Sequence, residues 1–252
     1  NHRHCIAVVR ELCMGMQVLA IASRKGGSGK TTLTGHLAVE AERQGFGPVA
    51  VMDVDPQGSL ADWWNEREAS EPVFVNTTLE TLDEDIAKLR EAGVRLLVID
   101  TPPAITRAIR DVIGVADMVL IPTRPSPHDL RAVAATVAIV EDLHKPLVFV
   151  LNAATPRAKI TNEAIIALSQ HGPLAPSIIH QRVDFASSMI DGRTVMELTT
   201  AARAADEIER LWRYMSTRLD LSSATDPALD VVRKSSSVSV PQTTPASQAQ
   251  LL

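Results

Sequence analysis

Cysteine, aromatics and long apolar runs are all scarce in this 252-residue chain. Its two cysteines, Cys5 and Cys13, both lie near the start. No Cys-x-x-Cys pair and no disulfide framework exists, which leads us to expect a reducing cytoplasm. The seven histidines are scattered without metal-ligand spacing. No apolar run approaches the roughly 18 residues that a membrane-spanning helix needs. Aromatic residues make up only 3%, so a core must be built from Ala, Val, Ile and Leu, which suits sheet-and-helix layers. A strong excess of one charge is missing too. The formal net charge is −5 and the isoelectric point about 5.8, so composition alone does not advertise nucleic-acid binding.

What is present is alternation. Short apolar runs read as strands near 17–23, 48–54, 73–76, 95–100, 117–122, 147–152 and 177–180. Segments with apolar residues at helical spacing fall between them, the longest near 31–45, 81–92, 127–144, 159–170 and 202–219. This order predicts one α/β domain over residues 16–219 with a mostly parallel, doubly wound sheet. Residues 1–15 read as an N-terminal extension, disordered or not native, with Met16 a plausible start. Residues 220–252 turn to Ser, Thr, Pro, Gln and Ala and read as a disordered tail, because such a composition buries little apolar surface.

The most informative stretch is Lys25-Gly26-Gly27-Ser28-Gly29-Lys30-Thr31-Thr32. It sits between an apolar strand and an amphipathic helix, the context a phosphate-binding loop requires. Glycines let the backbone approach a ligand, and successive N–H groups with the helix dipole attract phosphate oxygens. Lys30 would neutralise phosphate charge, and the Thr31 hydroxyl is placed to ligate Mg²⁺, a hard cation that prefers oxygen. A nucleoside triphosphate with Mg²⁺ is therefore the expected ligand. Two strand ends supply carboxylates. Val49 to Asp53 runs on to Asp55-Pro56-Gln57-Gly58, with the two aspartates at period-2 spacing. Leu96 to Asp100 ends in Thr101-Pro102-Pro103, and the C-terminal ends of strands are where ligands bind in open α/β sheets.

The loop departs from the general G-x-x-x-x-G-K-[ST] pattern. Arg24 stands where glycine is expected, and Lys25 fits K-G-G-x-G-K-[ST] instead. In this the chain resembles the ParA family of deviant Walker A ATPases, over roughly residues 17–219. The resemblance implies that Lys25 reaches across a homodimer interface to the partner's phosphates. It implies that Asp55 orients the attacking water, that Asp53 supports the Mg²⁺ network with Thr31, and that Asp100 is the Walker B aspartate. Residues Thr101 to Arg110 would sense the γ-phosphate. Asn152, at the end of the 147–152 strand, matches a position that bonds the adenine base, and Arg182 a position that flanks it.

Absences sort the family's branches. No cysteine follows position 13, which excludes an iron–sulfur relative. Residues 208–219 carry an apolar stripe at 208, 211, 212, 215 and 219, which a MinD-like membrane-surface ATPase would use as an interfacial helix. A terminal helix packing on the core is favoured, because a long polar tail follows. The strings Asp55-Pro-Gln-Gly58, Pro122-Thr-Arg-Pro-Ser-Pro-His-Asp-Leu130 and Gly192-Arg-Thr-Val-Met-Glu197 are similar to those of the DNA-partitioning branch. The loop's early position predicts a small member without an N-terminal DNA-binding domain. The resemblance then implies slow ATP hydrolysis, non-specific DNA binding by the ATP-bound homodimer, a ParB-like partner, no membrane, and a cytoplasmic, nucleoid-associated location. Arg157, Lys159, Arg193, Arg203, Arg213 and Arg218 are the candidate DNA contacts. They are set against Glu197, Asp206, Glu207 and Glu209.

Overall fold

The computed structural model describes residues 15–103, 107–219 and 221. Apart from Gly15 and Leu221, the expected extension over residues 1–15 and the expected tail over residues 220–252 lie outside the described residues.

Six parallel strands form one sheet in the order β3-β2-β4-β1-β5-β6. They are β1 (Gln17–Ile21), β2 (Val49–Asp53), β3 (Val73–Asn76), β4 (Leu96–Asp100), β5 (Met118–Thr123) and β6 (Leu147–Leu151). The interleaved helices are α1 (Lys30–Arg43), α2 (Ser59–Asn65), α3 (Leu82–Glu91), α4 (Arg107–Val115), α5 (Pro127–Asp142), α6 (Lys159–Ser169), α7 (Val183–Met189) and α8 (Ala202–Arg218).

Strand alternation explains the layering. On β1, Leu19 and Ile21 face one core, which α1, α2 and α8 complete with Leu33, Leu37, Leu60, Trp63, Ile208 and Leu211. Val18 and Ala20 face the other, closed by α3 to α6 through Ile86, Ile109, Val112, Val137 and Leu168. Strands buried on both faces have no polar face to show. This is why they read as continuous apolar runs.

The expected strand at 177–180 is not one. The segment follows the free edge of β6 through isolated bridges at Leu174 and His180. Its backbone bonds are intermittent, with Ala175 and Ile179 N–H donating to Phe149 and Leu151 carbonyls. Pro173 has no N–H to give, and the next donors, Ala175 and Ile179, are four residues apart where a ladder spaces them two apart, so no continuous ladder forms. The segment nonetheless covers an edge that would otherwise be open.

The stripe at 208–219 is resolved in favour of packing. Ile208, Leu211, Trp212, Met215 and Leu219 are all buried against the α1 side of the sheet. Among the described residues no helix is long and apolar enough to cross a membrane.

Sheet order places the crevice. From adjacent strands β1 and β4 the chain departs to opposite faces, into α1 and α4. That divergence opens a gap beyond their C-terminal ends, the usual ligand site of such sheets. Register brings Asp53 and Ile21 alongside Asp100 on either side.

Candidate functional site: a phosphate loop between two strand-end aspartates

The loop after β1 turns tightly into α1. Gly27 (φ 70°) and Gly29 (φ 92°) both adopt left-handed backbone, which favours glycine. Gly29 is the N-cap of α1 and brings no capping side chain. The first-turn N–H groups are therefore left for an anion.

A second constraint on Gly29 comes from β6. Asn152 is buried, and its Nδ2 donates to the Ser28 carbonyl at 2.7 Å. A Cβ on Gly29 would lie 2.0 Å from that nitrogen. Gly29→Ala is expected to displace the amide and deform the loop. Calorimetric titration should then show ATP affinity reduced by about 100-fold, roughly the loss of one or two charge-assisted hydrogen bonds.

The carboxylates divide the work. Asp100 is 1% exposed. One oxygen, Oδ2, accepts a 2.5 Å hydrogen bond from the Thr31 hydroxyl, while Oδ1 is buried without a partner. Burial pushes its carboxyl up to about 7. Asp53 and Asp55 add to the shift, and the Thr31 bond and Lys30 oppose it. Lys30 is itself buried, which lowers its ammonium, against the pull of Asp100 and Asp55. A buried hydroxyl–carboxylate pair with one spare oxygen fits a hard divalent cation, which takes oxygen ligands and keeps part of its water shell.

Asp53 is already committed. Its Oδ1 accepts from the Asp55 N–H at 2.9 Å, and its Oδ2 from Leu60 and Ala61 N–H at 2.9 and 3.3 Å. It thus caps α2 and shapes the turn that presents Asp55. Burial raises its carboxyl, against those backbone bonds. Asp55 is half-buried and lines the cleft, with Oδ1 accepting from the Gln57 N–H at 3.0 Å. Thr101 ties the neighbouring turn to β1 by donating to the Ile21 carbonyl at 2.9 Å.

The cleft measures about 620 Å³. Its floor is Gly26, Gly27, Gly29, Lys30, Thr31 and Thr32, and one wall is Asp55 to Glu66 with Trp63. Pro103, Met189 and Ile190 complete the rim. Lys25 is exposed and does not line the cleft of its own chain. Of the segment expected to sense the γ-phosphate, residues 104–106 lie outside the described residues, and α4 begins at Arg107.

Other expected residues fall elsewhere. Arg182 is absent from the cleft lining and donates to the buried Glu207 at 2.6 Å, beside His180. Burial pushes the Glu207 carboxyl up, but the Arg182 and His180 bonds outweigh it and hold it low. Arg193 pairs with Asp191 and Lys159 with Glu163. Arg218 lies over the Tyr214 ring. Arg213 shares a separate groove with Arg210, Tyr214 and His180. Arg157 stands in a turn with φ 61°, and Arg203 is exposed at the start of α8.

Sequence reasoning missed the α2 wall. Trp63 and Glu66 line the cleft, and Arg67 continues from them to a bidentate pair with Glu197 at 2.8 and 3.0 Å. Only the Trp63-x-x-Glu66-Arg67 spacing hints at a helix there.

The family model described as the CobQ/CobB/MinD/ParA nucleotide binding domain matches residues 19–195. "Maintenance of carboxysome distribution protein A" of Halothiobacillus neapolitanus is 32% identical over 203 residues, covering 77% of this chain and 93% of that protein. An Escherichia coli "Protein IncC" is 25% identical over 260 residues, covering 82% and 71%. Among solved structures, a Cyanothece McdA(D38A)–ATP complex superposes with a TM-score of 0.66 at 21% identity, covering 80% of this chain and 97% of that one. The Pyrococcus furiosus cell division ATPase MinD gives 0.66 at 17%, covering 80% and 98%.

Proposed function

The chain belongs to the CobQ/CobB/MinD/ParA nucleotide-binding family, and from that premise we propose that it is a ParA-like ATPase whose ATP-bound form is a homodimer that binds DNA non-specifically and positions a cargo. The observation that carries this reading is the placement of the two loop lysines. Lys30 is buried in the cleft floor, where Asp100 pulls on its charge, whereas Lys25 is exposed and, among the described residues, neither lines the cleft of its own chain nor forms a salt bridge.

In this reading the loop N–H groups and Lys30 bind the phosphates. Thr31 and Asp100 would hold Mg²⁺, which supplies further neutralisation of phosphate charge. Asp55 orients a water whose oxygen attacks the γ-phosphorus as the bond to the β–γ bridging oxygen breaks, giving ADP and inorganic phosphate. Lys25 meets the phosphates of a second subunit and stabilises charge in trans, as an arginine finger does. Asp53 would act on the metal shell indirectly, by fixing the Asp55 turn. Asn152 supports the loop through the Ser28 carbonyl, and in this reading its remaining amide oxygen would be the group left for the adenine base.

Hydrolysis then dissolves the dimer, a population shift driven by the difference between ATP and ADP contacts. DNA contact through Arg157, Lys159, Arg193, Arg203, Arg213 and Arg218 would be to phosphates and steeply salt-dependent. A ParB-like partner would stimulate turnover, and the protein would work in the cytoplasm on the nucleoid. The relative named for carboxysome distribution makes a protein-shelled compartment a candidate cargo beside plasmid and chromosome.

Light scattering with ATP and Mg²⁺ tests the switch. Lys25→Ala should bind ATP yet stay monomeric, while Asp55→Ala should accumulate as a DNA-bound dimer. ATP-dependent dimers of the first variant, or unchanged hydrolysis by the second, would remove the assigned roles.

A further inference from the structure

Arg124 follows directly on β5, the strand that flanks β1 on the side away from β4 and β2. Its side chain is not among the cleft-lining groups, yet it reaches the loop. A Cβ placed on Gly27 would sit 3.6 Å from Arg124 Nη2 and 4.0 Å from its Cζ. The guanidinium therefore lies within van der Waals reach of the loop at Gly27.

No carboxylate offsets that charge. Among the described residues Arg124 makes no salt bridge and no side-chain hydrogen bond, whereas Arg67, Arg107, Arg110, Arg182, Arg193 and Arg210 each meet an acid. The exposed Lys25 and Arg24 belong to the same loop, and among the described residues neither they nor Arg124 form a salt bridge. Such convergence is unfavourable until an anion joins it. A planar guanidinium presents five donors in a fork that matches phosphate oxygens, and arginine is preferred where such recognition is needed. The backbone also holds the position. The Ser126 N–H donates to the Arg124 carbonyl at 2.8 Å, and the Asn152 N–H donates to the preceding Thr123 carbonyl at 2.9 Å. The loop-supporting Asn152, directly after β6, thus also anchors the base of Arg124.

We propose that Arg124 is a polyphosphate ligand acting in cis, closing on the β- and γ-phosphates from the β5 flank of the loop while the α2 wall closes the other side. The inference rests on the nucleotide-binding reading above and adds a second cation from the same chain to Lys30. Because the contact is made within one subunit, it operates on ADP as well as ATP and needs no dimer.

Calorimetric titration of the full chain with MgATP, MgADP and inorganic tripolyphosphate tests it. Arg124→Ala is expected to weaken all three by about 10- to 100-fold, the worth of a hydrogen bond to a charged group. Arg124→Lys should recover part of the loss, since it restores charge but not the fork. The affinity of the alanine variant should also fall less steeply with added salt. Unchanged affinity for all three ligands, in a variant that melts with the wild type, would overturn the proposal. A loss confined to ATP under dimer-forming conditions would overturn the cis assignment. Wild-type protein that binds none of the three would instead remove the nucleotide reading itself, a result distinguishable from failure of the Arg124 contact alone.

Discussion

Replacing Asp100 with asparagine is expected to make the nucleotide-free protein more stable at about pH 8 while disabling the proposed magnesium-supported hydrolysis. Asp100 is buried, with one oxygen bonded by Thr31 and the other without a partner. Its carboxyl is pushed up to about 7, chiefly by burial. In the unfolded chain the same group titrates near 4. The folded state therefore binds this proton more tightly than the unfolded state does. The resulting stability is fully present below the ordinary carboxylate range and is lost as pH rises through about 7. At about pH 8 an ionised Asp100 costs on the order of 4 kcal/mol relative to a neutral group of the same shape. Asparagine keeps an oxygen for the Thr31 hydroxyl and carries no charge. Calorimetric melts should show a rise of about 8–16 °C at that pH for a domain of this size. The gain should shrink steadily on acidification and be absent near pH 4. The same substitution removes a proposed support for Mg²⁺, so metal affinity should fall by about 10- to 100-fold. A variant no more stable than wild type at alkaline pH would show that Asp100 is not a strained buried charge. A variant that hydrolyses ATP normally would remove its metal role. Opposite signs for stability and activity mark a group held at a structural cost for function.

The loop, its flanking strand and helix, and the aspartates at 53, 55 and 100 were legible because each sits where periodicity changes. An apolar run ends, and a charged or glycine-rich residue follows at a spacing chemistry constrains. Strand 177–180 was over-read for a related reason. Its apolar residues fit the pattern, but Pro173 cannot donate and no donor to β6 stands between Ala175 and Ile179. The missing donors mattered more than the pattern. Helix α2 escaped because seven residues are too few for a helical period to declare itself. Asn152 looked like a strand-end polar residue, and nothing local shows that its amide meets Ser28, 124 positions away. Arg182 stood in a motif-like string, yet Glu207 on a later helix holds it. The last two are long-range pairings of residues whose own neighbourhoods look ordinary.

The most consequential of such pairings surrounds Gly192, and Gly192→Ala is expected to cost several kcal/mol of folding stability where Gly93→Ala costs about 1 kcal/mol. The two glycines share a backbone conformation, with φ of 72° and 79°, so the penalty for placing alanine in left-handed backbone is common to both. Their surroundings differ. A Cβ on Gly93 meets nothing within 4 Å, whereas one on Gly192 would lie 2.3 Å from the Arg67 N and Cα and 2.5 Å from the Glu66 carbonyl carbon. Those are backbone atoms, which cannot rotate away as a side chain would. The turn is also bound to α2 by several contacts. Arg67 Nη1 donates to the Gly192 carbonyl at 2.8 Å and Trp63 Nε1 to the Arg193 carbonyl at 3.1 Å. Arg67 further holds Glu197, which accepts in turn from the Thr194 N–H and hydroxyl at 2.8 Å each. Burial pushes the Glu197 carboxyl up, but these bonds outweigh it and hold it low. On the far side, the Val195 N–H donates to Nε2 of His36 at 3.2 Å, while the His36 Nδ1 faces the Thr32 carbonyl at 2.7 Å. His36 lies on α1, directly after the phosphate loop. Burial lowers it to about 4, so it stays neutral and can accept that bond at neutral pH. One turn thus clamps α2, which carries the Asp55 wall, to α1, which carries Lys30 and Thr31. Forcing the turn outward should break Arg67 from Glu197 and leave a buried guanidinium unpaired, a change that costs about 3–5 kcal/mol when one partner of such a pair is removed. Urea midpoints for the two alanine variants isolate the steric part, since the backbone penalty cancels between them. ATP affinity should fall only in the Gly192 variant, because Ile190, Trp63 and Glu66 border the cleft and Gly93 does not. Equal destabilisation of the two variants would mean that the turn can yield without loss, and the clamp between the cleft wall and the phosphate-loop helix would have to be abandoned.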